Sequence, residues 1–142
     1  MVDLADKAAG CKIFSEEMLH FIVERFDTSL SEMIVHQRLF VAIIKDAILQ
    51  QARAGRNLEM KRRGNDLYDG DAKINVSVAT TSPVSALMHI GVNISSHNTP
   101  VKTKSLNDYG INPKTFAEDV LKSYKEEVEG IEAAKVKVKP VP

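Results

Sequence analysis

The sequence lacks most of the features that tie a chain to a compartment or to a class of partner. Its one cysteine, Cys11, can form no internal disulfide, which is typical of a reducing compartment. The 19 basic and 19 acidic side chains cancel, so nucleic acid is disfavoured as a partner because no uniformly basic surface is available. No apolar run approaches the roughly 20 residues that span a bilayer, and the start "MVDLADKAAG" is unlike a signal peptide. We therefore expect a soluble cytoplasmic protein without a membrane partner.

The familiar catalytic and metal-binding motifs are also missing. The seven glycines are too scattered for a Walker A loop or a GxGxxG turn. The four histidines form no HExxH motif and no CxxC pair accompanies them, so no metal site is expected. Asp66, Asp69 and Asp71 do not have the spacing of a calcium loop, and a solvated turn explains them better. No feature near Cys11 indicates an activated nucleophile, so we interpret it as a bystander thiol.

The patterns that are present indicate one α+β domain. The 142 residues are 44% apolar, which suits a single domain with a substantial core. Ser15 predicts the cap of a first helix in "SEEMLHFIVERF", where apolar residues recur at helical spacing. A second helix is predicted over Leu30–Ala54, ended by Gly55, and its apolar composition on all sides predicts burial. We expect residues 1–134 to form the domain and residues 135–142 to form a basic C-terminal tail.

Strands and a last helix complete the predicted fold. The segment "NLEMKRR" predicts a strand, and Asp69 and Gly70 predict a hairpin tip because both residue types tolerate positive φ. A last helix should begin at Pro113, capped by Asn112, and end at Gly130. The order helix, helix, strands, helix predicts an α+β fold with a mainly antiparallel sheet and a long buried helix.

Two alternating runs follow the predicted hairpin tip. In "AKINVSVAT" and "ALMHIGVNIS" apolar residues occupy every second position, which predicts strands with one buried face. The other face would then carry Lys73, Asn75, Ser77, His89, Gly91 and Asn93, with Arg63, Asn65 and Asp66 just upstream. Cations beside a glycine would suit an anion such as a phosphate. The alternative is that this face is the solvated side of an ordinary antiparallel sheet.

The segments "RRGNDLYDGDAKINVSVA" and "HIGVNI" are similar to the central hairpin of the lipoate and biotin protein ligases. Those enzymes carry an Asn-Asp pair, a turn, a Lys-Ile pair followed by small residues, and then a His-Gly strand. The matching positions are Asn65, Asp66, Lys73, Ile74, Ser77, His89 and Gly91. In lipoate ligases the lysine of this motif contacts the acyl group and the α-phosphate of the acyl-adenylate. The resemblance therefore implies that Lys73 is the catalytic residue.

Most of the chain is more closely similar to an uncharacterised, largely archaeal family of domains of unknown function. The typical stretch of that family reads "RRGDDLY…KLTVSIAT.SPVS..HFGINI…GTPV". Membership implies a core like that of the lipoate and biotin ligases and the class II synthetases, but no known activity. Family members usually begin further upstream, which predicts an N-terminally shortened chain. The chain departs from the ligases at Val76, where they have a small residue, and it lacks their arginine- and glycine-rich strand.

Three classes of function remain open, and the residues alone do not decide whether the chain is an enzyme. The first is a ligase-type enzyme that activates a carboxylic acid as an acyl-adenylate, for which the resemblance implies ATP as cofactor. The second is a non-catalytic domain that binds a small acyl or nucleotide ligand. The third is an interaction module for tRNA or protein, which is weakened by the scarcity of aromatic residues near the lysines. A homodimer is expected if a sheet edge is left uncovered.

Overall fold

The computed structural model describes residues 17–52, 58–95 and 102–142 of the chain. Within these ranges the strands are β1 (Glu17–Phe26), β2 (Met60–Arg63), β3 (Asp66–Asp69), β4 (Ala72–Lys73), β5 (Asn75–Thr81) and β6 (Ser85–Ser95). The helices are α1 (Leu30–Gln51) and α2 (Pro113–Lys135), with a 3-10 turn at Leu106–Tyr109. The predicted α+β class is confirmed. The predictions for Cys11, Ser15 and Gly55 lie outside the described residues.

The larger of two sheets has three antiparallel strands in the order β1–β6–β5. The long helix α1 packs on one side of it, called the inner face below. There Phe21 of β1 meets Phe40 of α1 with ring centroids 5.1 Å apart. The opposite side is called the outer face. The predicted arrangement of a long buried helix on an antiparallel sheet is therefore confirmed.

The first predicted helix is wrong, because its described residues form the strand β1. This strand pairs with β6 from Met18 opposite Asn93 to Phe26 opposite Ser85. The apolar residues of this segment fit a helical period and also the two-residue period of a strand, since every second residue points to the inner face. Pairing along nearly the whole of β6 outweighs the local helical spacing.

The smaller sheet has the strand order β2–β3–β4. Gly64 lies in the turn between β2 and β3, and Gly70 lies in the turn between β3 and β4. Their φ angles are 61° and 60°, a region that glycine adopts without steric cost. The predicted strand in "NLEMKRR" and the predicted tip at Asp69 and Gly70 are confirmed, whereas the turn at Gly64 was not predicted.

The chain crosses from the smaller sheet to the larger one at Ile74. The Ile74 N–H donates to the carbonyl of Leu67 in β3 at 3.0 Å, and the Ile74 carbonyl accepts from the Asn93 N–H of β6 at 3.1 Å. The single strand predicted for "AKINVSVAT" is therefore two short strands in two sheets. The pattern predicted extended chain throughout, and no helix occurs between Lys73 and Thr80.

Both helices begin at side-chain caps. Ser29 accepts the N–H of Glu32 at 3.1 Å at the start of α1, and Asn112 accepts the N–H of Thr115 at 3.1 Å at the start of α2. The predicted end of the last helix at Gly130 is wrong, because α2 continues to Lys135. Residues 129–142 are exposed, so the C-terminal turns of α2 project from the core.

Candidate functional site

Three cations lie on one face of the smaller sheet. Tyr68 of β3 is paired with Lys61 on one side and with Lys73 on the other, so the three side chains share a face. Arg63 is paired with Asp66 on that same face. The opposite face carries the buried residues Met60, Leu67, Asp69 and Ala72. The set of Lys61, Arg63, Asp66, Tyr68 and Lys73 is called the cationic face below.

The side chains of the cationic face are partly held in place. The guanidinium carbon of Arg63 lies 5.6 Å from the ring centroid of Tyr68, within the range of a cation–π contact. The Lys73 Nζ lies 3.4 Å from Asp66 Oδ1, and the Lys73 side chain is only 24% exposed. A surface pair at this separation adds little stability. The ammonium group of Lys73 is therefore available to an anionic ligand at small cost to the fold.

The backbone of Lys73 is fixed from two sides. Its N–H donates to the carbonyl of Lys102 at 2.9 Å, and its carbonyl accepts the N–H of Lys104 at 3.0 Å. A parallel bridge to Thr103 accompanies these bonds. The short strand β4 therefore lies between β3 and residues 102–104, which gives the Lys73 side chain a rigid base.

The single polar face predicted from the alternation is wrong. On β5, Asn75 and Ser77 point toward α1, whereas on β6 His89 and Gly91 point to the outer face of the larger sheet. The physical reason is that the chain crosses between the two sheets at Ile74. After this crossing, the alternation between inner-face and outer-face side chains is shifted by one residue. Ser77 and His89 therefore do not share a pocket with Lys73 in the way the pattern predicted.

Asn65 and Ser77 meet in a largely buried network instead. The Gln37 Nε2 of α1 donates to Ser77 Oγ at 2.9 Å, and Ser77 Oγ donates to the Asn65 carbonyl at 3.1 Å. Asn75 Nδ2 donates to the same carbonyl at 3.2 Å, and Asn75 Oδ1 accepts the Leu67 N–H at 2.8 Å. Gln37 and Asn75 are each 1% exposed. This polar network fixes the turn between β2 and β3 against α1 and β5.

Asn93 and Asp69 hold the segment that follows the larger sheet. Asn93 is buried and its Nδ2 donates to the Lys104 carbonyl at 3.1 Å. Asp69 is 8% exposed and accepts from Tyr109 Oη at 2.8 Å and from Lys104 Nζ at 3.0 Å. Burial alone would raise the pKa of Asp69, but the hydrogen bonds from Tyr109 and Lys104 outweigh it and lower the pKa below its usual value. The prediction of a solvated turn is therefore wrong for Asp69, although Asp71 is exposed and paired with Lys102.

His89 and Gly91 lie on the outer face of the larger sheet, apart from the side chains of the cationic face. The Nε2 of His89 is 2.8 Å from the Nδ1 of His20. Burial lowers the pKa of His89, and the neighbouring His20 lowers it further. The space above Gly91 is occupied by the side chains of Met18 and His20 rather than open to a ligand.

The structure thus divides the nine residues of the predicted polar set among separate places. Arg63, Asp66 and Lys73 come together, and Lys61 and Tyr68 join them. Sequence reasoning missed these last two because the turn at Gly64 went unrecognised. Had "RRGND" been interpreted as a hairpin turn, strand pairing would have placed Lys61 opposite Tyr68. The grouping suits the binding of one phosphate or carboxylate, which Arg and Lys recognise through charge-assisted hydrogen bonds.

The described residues contain neither a cluster of the usual metal-binding side chains nor a helix suited to crossing a membrane. Across residues 17–52, 58–95 and 102–142, no group of three His, Cys, Asp or Glu side chains could hold a metal ion. In the same ranges neither helix combines the length and the apolar character that crossing a membrane requires.

Solved structures share this fold. A protein of unknown function from Pyrococcus horikoshi superposes with a TM-score of 0.86 at 31% identity, covering 100% of this chain and 74% of that chain. Biotin protein ligase from Aquifex aeolicus, in complex with biotin and ATP, gives a TM-score of 0.64 at 15% identity, covering 79% and 50%. A putative lipoate protein ligase from T. acidophilum with bound lipoic acid gives 0.60 at 14% identity, covering 89% and 63%. At such identities the two ligases establish the fold alone, and the ligase-like core implied by the resemblance is confirmed.

A curated relative and a family match agree with the structural comparison. The uncharacterized protein MJ0805 of Methanocaldococcus jannaschii is 35% identical over 139 residues, which cover 93% of this chain and 61% of that protein. The chain thus spans about three fifths of the length of this relative. The family described as a domain of unknown function (DUF366) matches residues 1–139. The chain therefore belongs to the DUF366 family, as its resemblance to a largely archaeal group of uncharacterised domains implied.

Proposed function

We propose that the cationic face binds the anionic group of a small acyl or nucleotide ligand, with Lys73 as the principal contact. The observation that carries this proposal is the grouping of Lys61, Arg63 and Lys73 around one tyrosine ring with a single carboxylate, Asp66. Three cations against one anion leave an excess positive charge. That excess favours a phosphate or carboxylate over a neutral ligand.

The geometry of the two best-held cations supports an anion site. The Lys73–Asp66 separation of 3.4 Å is longer than the roughly 2.7–2.9 Å of a strong charge-assisted hydrogen bond, so Asp66 engages the ammonium group only partly. Arg63 is positioned by Tyr68, which reduces the entropy lost when its guanidinium binds a ligand. Both side chains project from strands rather than from loops, which preserves their relative positions.

The structural neighbours suggest the chemical class of the ligand. One neighbour is a biotin protein ligase in complex with biotin and ATP, and another is a putative lipoate protein ligase with bound lipoic acid. A carboxylic acid, a nucleotide and the adenylate that joins the two all present an anionic group to a cation. We therefore expect an acyl-adenylate, or one of its two halves, to bind at the cationic face.

Calorimetric titration with biotinyl adenylate, lipoyl adenylate and ATP tests the proposal. Lys73→Ala should weaken the tightest of these interactions by about 1.5 to 3 kcal/mol, the scale of a hydrogen bond to a charged group. Lys73→Met, which keeps the apolar stem, should lose as much, because the contact depends on charge. Lys102→Ala is the matched control, since Lys102 also pairs with an aspartate but lies off the cationic face. Equal binding by wild type and Lys73→Ala, or no binding of any probe, would contradict the proposal.

A second candidate function is activation of a carboxylic acid by ATP, favoured by the ligase neighbour that holds both biotin and ATP. In that reaction a carboxylate oxygen attacks the α-phosphorus, the acyl-adenylate forms and pyrophosphate leaves. Lys73 would stabilise the charge that develops on the α-phosphate. Pyrophosphate exchange into ATP that requires a carboxylic acid and disappears in Lys73→Ala would support the enzyme. Binding without any exchange would leave the non-catalytic binding domain as the better conclusion.

A further inference from the structure

The outer face of the larger sheet brings two histidine rings together across the strand pair β1–β6. His20 lies opposite Gly91, and His89 lies opposite Ile22, so the two histidines are diagonal neighbours. Their ring centroids are 4.9 Å apart, and His20 Nδ1 lies 2.8 Å from His89 Nε2. One of these nitrogens therefore donates its proton to the other, and transfer of that proton to the far nitrogen of the same ring would leave two lone pairs that face each other above the sheet.

A methionine reaches toward the same point. A Cβ atom built on Gly91 would lie 2.8 Å from the Met18 methyl carbon and 3.4 Å from His20 Nδ1. The thioether end of Met18 and the ring nitrogen of His20 therefore cover the same glycine. The absence of a side chain at Gly91 makes room for both.

We propose that His20, His89 and Met18 form a binding site for Cu(I), a site separate from the cationic face and independent of the proposed ligand. Imidazole nitrogen binds copper as well as other transition metals, and the soft thioether sulfur is the donor that selects monovalent copper over harder cations. The third donor is a methionine sulfur, so the cluster contains only two of the His, Cys, Asp and Glu side chains that usually identify metal sites.

Small movements would turn the observed contact into a ligand pair. Two nitrogens that each lie about 2.0–2.1 Å from one metal ion at a tetrahedral angle are roughly 3.3 Å apart. The rings therefore need to separate by about half an ångström from their 2.8 Å contact. His20 is exposed and His89 is only half-buried, so rotation about their side-chain bonds meets little resistance. Met18 is partly buried, and rotation about its flexible side-chain bonds would turn its sulfur toward the pair.

The three strands around the pair contribute an acidic side chain and no basic one to the outer face. The outward-pointing residues of β1, β5 and β6 include no lysine or arginine, and Glu24 is the charged residue nearest along β1. Burial and the neighbouring ring lower the pKa of His89, which favours the neutral imidazole that a metal ligand requires. Ile22 lies opposite His89 on the same face, so an uncharged side chain is the neighbour of the pair along β1.

Competition with a chromophoric Cu(I) chelator under reducing conditions tests the site in the intact chain. We expect one Cu(I) per chain, with the affinity reduced at least about tenfold in His20→Ala and in His89→Ala. Met18→Leu, which keeps the apolar volume, should weaken Cu(I) binding several-fold and leave Zn(II) binding unchanged. The reason is that a thioether sulfur is a preferred ligand of the soft Cu(I) ion. His36→Gln is the matched control, since His36 lies on α1, on the inner side of the sheet. Thermal unfolding followed by circular dichroism verifies that each variant is folded.

Three results would overturn the proposal. The first is a wild-type chain that fails to compete with a chelator of micromolar affinity. The second is Cu(I) affinity that persists in the double variant His20→Ala/His89→Ala. The third is a Met18→Leu variant that binds Cu(I) as tightly as wild type, which would exclude the thioether ligand. X-ray absorption of the copper complex gives an independent measurement, since sulfur scattering should be present in wild type and absent in Met18→Leu.

Discussion

Several polar side chains in this protein are buried where they form hydrogen bonds between elements that are distant in sequence. Gln37 reaches from α1 to Ser77, and Asp69 receives hydrogen bonds from Tyr109 and Lys104. Buried groups of this kind add little net stability while they are paired, but they are costly to leave unpaired. Gln37 recurs at helical spacing with buried apolar residues of α1, so the sequence carried a signal for its burial. The partners of Gln37 and Asp69 are distant in sequence, and no local pattern could have identified them.

Replacing Ser77 by alanine should separate a structural role from a ligand-binding role. The change removes the acceptor of Gln37 and one donor to the Asn65 carbonyl, so a buried amide group is left without its partner. We expect a loss of about 1–3 kcal/mol in the free energy of unfolding, measured by urea denaturation. Anion binding at the cationic face should remain as in wild type. Thr80→Ala, an exposed change on the same strand, is the control, and a Ser77→Ala variant with intact stability and lost binding would refute the assignment.

Asp69→Asn should destabilise the protein in a way that depends on pH. Tyr109 and Lys104 lower the pKa of Asp69 against the opposing effect of burial, so the unfolded chain takes up a proton more readily than the folded one. The contribution of the carboxylate is complete above its ordinary pKa of 3.8 and is lost as pH falls through the lower folded value. We expect the variant to lose about 1.5–3 kcal/mol at pH 7 and much less near pH 2. Asp71→Asn, at an exposed position, should leave the free energy of unfolding close to that of wild type at both pH values, and a cost for Asp69→Asn that stays constant with pH would contradict this account.

Among the elements, long and strongly patterned segments were predictable and short ones were not. The helix beginning at Leu30 and the helix beginning at Pro113 have clear caps and apolar faces. The segment of β1 fits both a helical and an alternating period, and only its pairing with β6 decides between them. The crossing at Ile74 depends on hydrogen bonds to two different sheets, which no alternation within one strand reveals. The candidate site was therefore predicted in part, with Arg63, Asp66 and Lys73 brought together and the residues of β5 and β6 assigned to the wrong face.

The contact between α1 and α2 should weaken in mild acid. His36 Nδ1 of α1 lies 2.9 Å from Tyr124 Oη of α2. Burial lowers the pKa of His36, Arg25 lowers it further, and Glu32 opposes both. Because the folded pKa is lowered from 6.5, the unfolded chain binds the proton first, and the stability present above pH 6.5 is lost as pH falls through the folded value.

Urea denaturation between about pH 7.5 and pH 5 measures this effect. Wild type should lose stability over that interval, and His36→Gln should lose less, because glutamine cannot take up the proton. Tyr124→Phe is a useful second variant, because it removes the hydroxyl group that contacts His36 and leaves the titrating imidazole of His36 in place. If the stability difference between wild type and His36→Gln is the same at both ends of the interval, protonation of His36 has no part in holding the helices together.

At the scale of the whole molecule, the two faces of the larger sheet have different surroundings. The inner face is covered by α1, and most of the buried apolar core lies between them. On the outer face, Ile22 is 73% exposed and Phe26 is 63% exposed. In the part of the chain that the structure describes, β1 is paired on one side only, with β6. An apolar patch beside an unpaired strand edge is a typical surface for association with another chain.

We propose that the protein forms a two-fold dimer through β1 and the outer-face residues next to it. The ten-residue strand contains no proline, and within the described residues only β6 pairs with it. The edge of β1 that faces away from β6 can therefore pair with the same edge of a second copy about a two-fold axis. Light scattering at increasing concentration should show a species of twice the chain mass. Ile22→Lys and Phe26→Lys should shift the equilibrium to the monomer, because each puts a charge into the contact. Val136→Lys is the matched control, since Val136 is 84% exposed on the C-terminal segment far along the chain from β1. A strictly monomeric wild type at high concentration would refute the dimer, and dissociation by Val136→Lys alone would move the contact to the C-terminal segment.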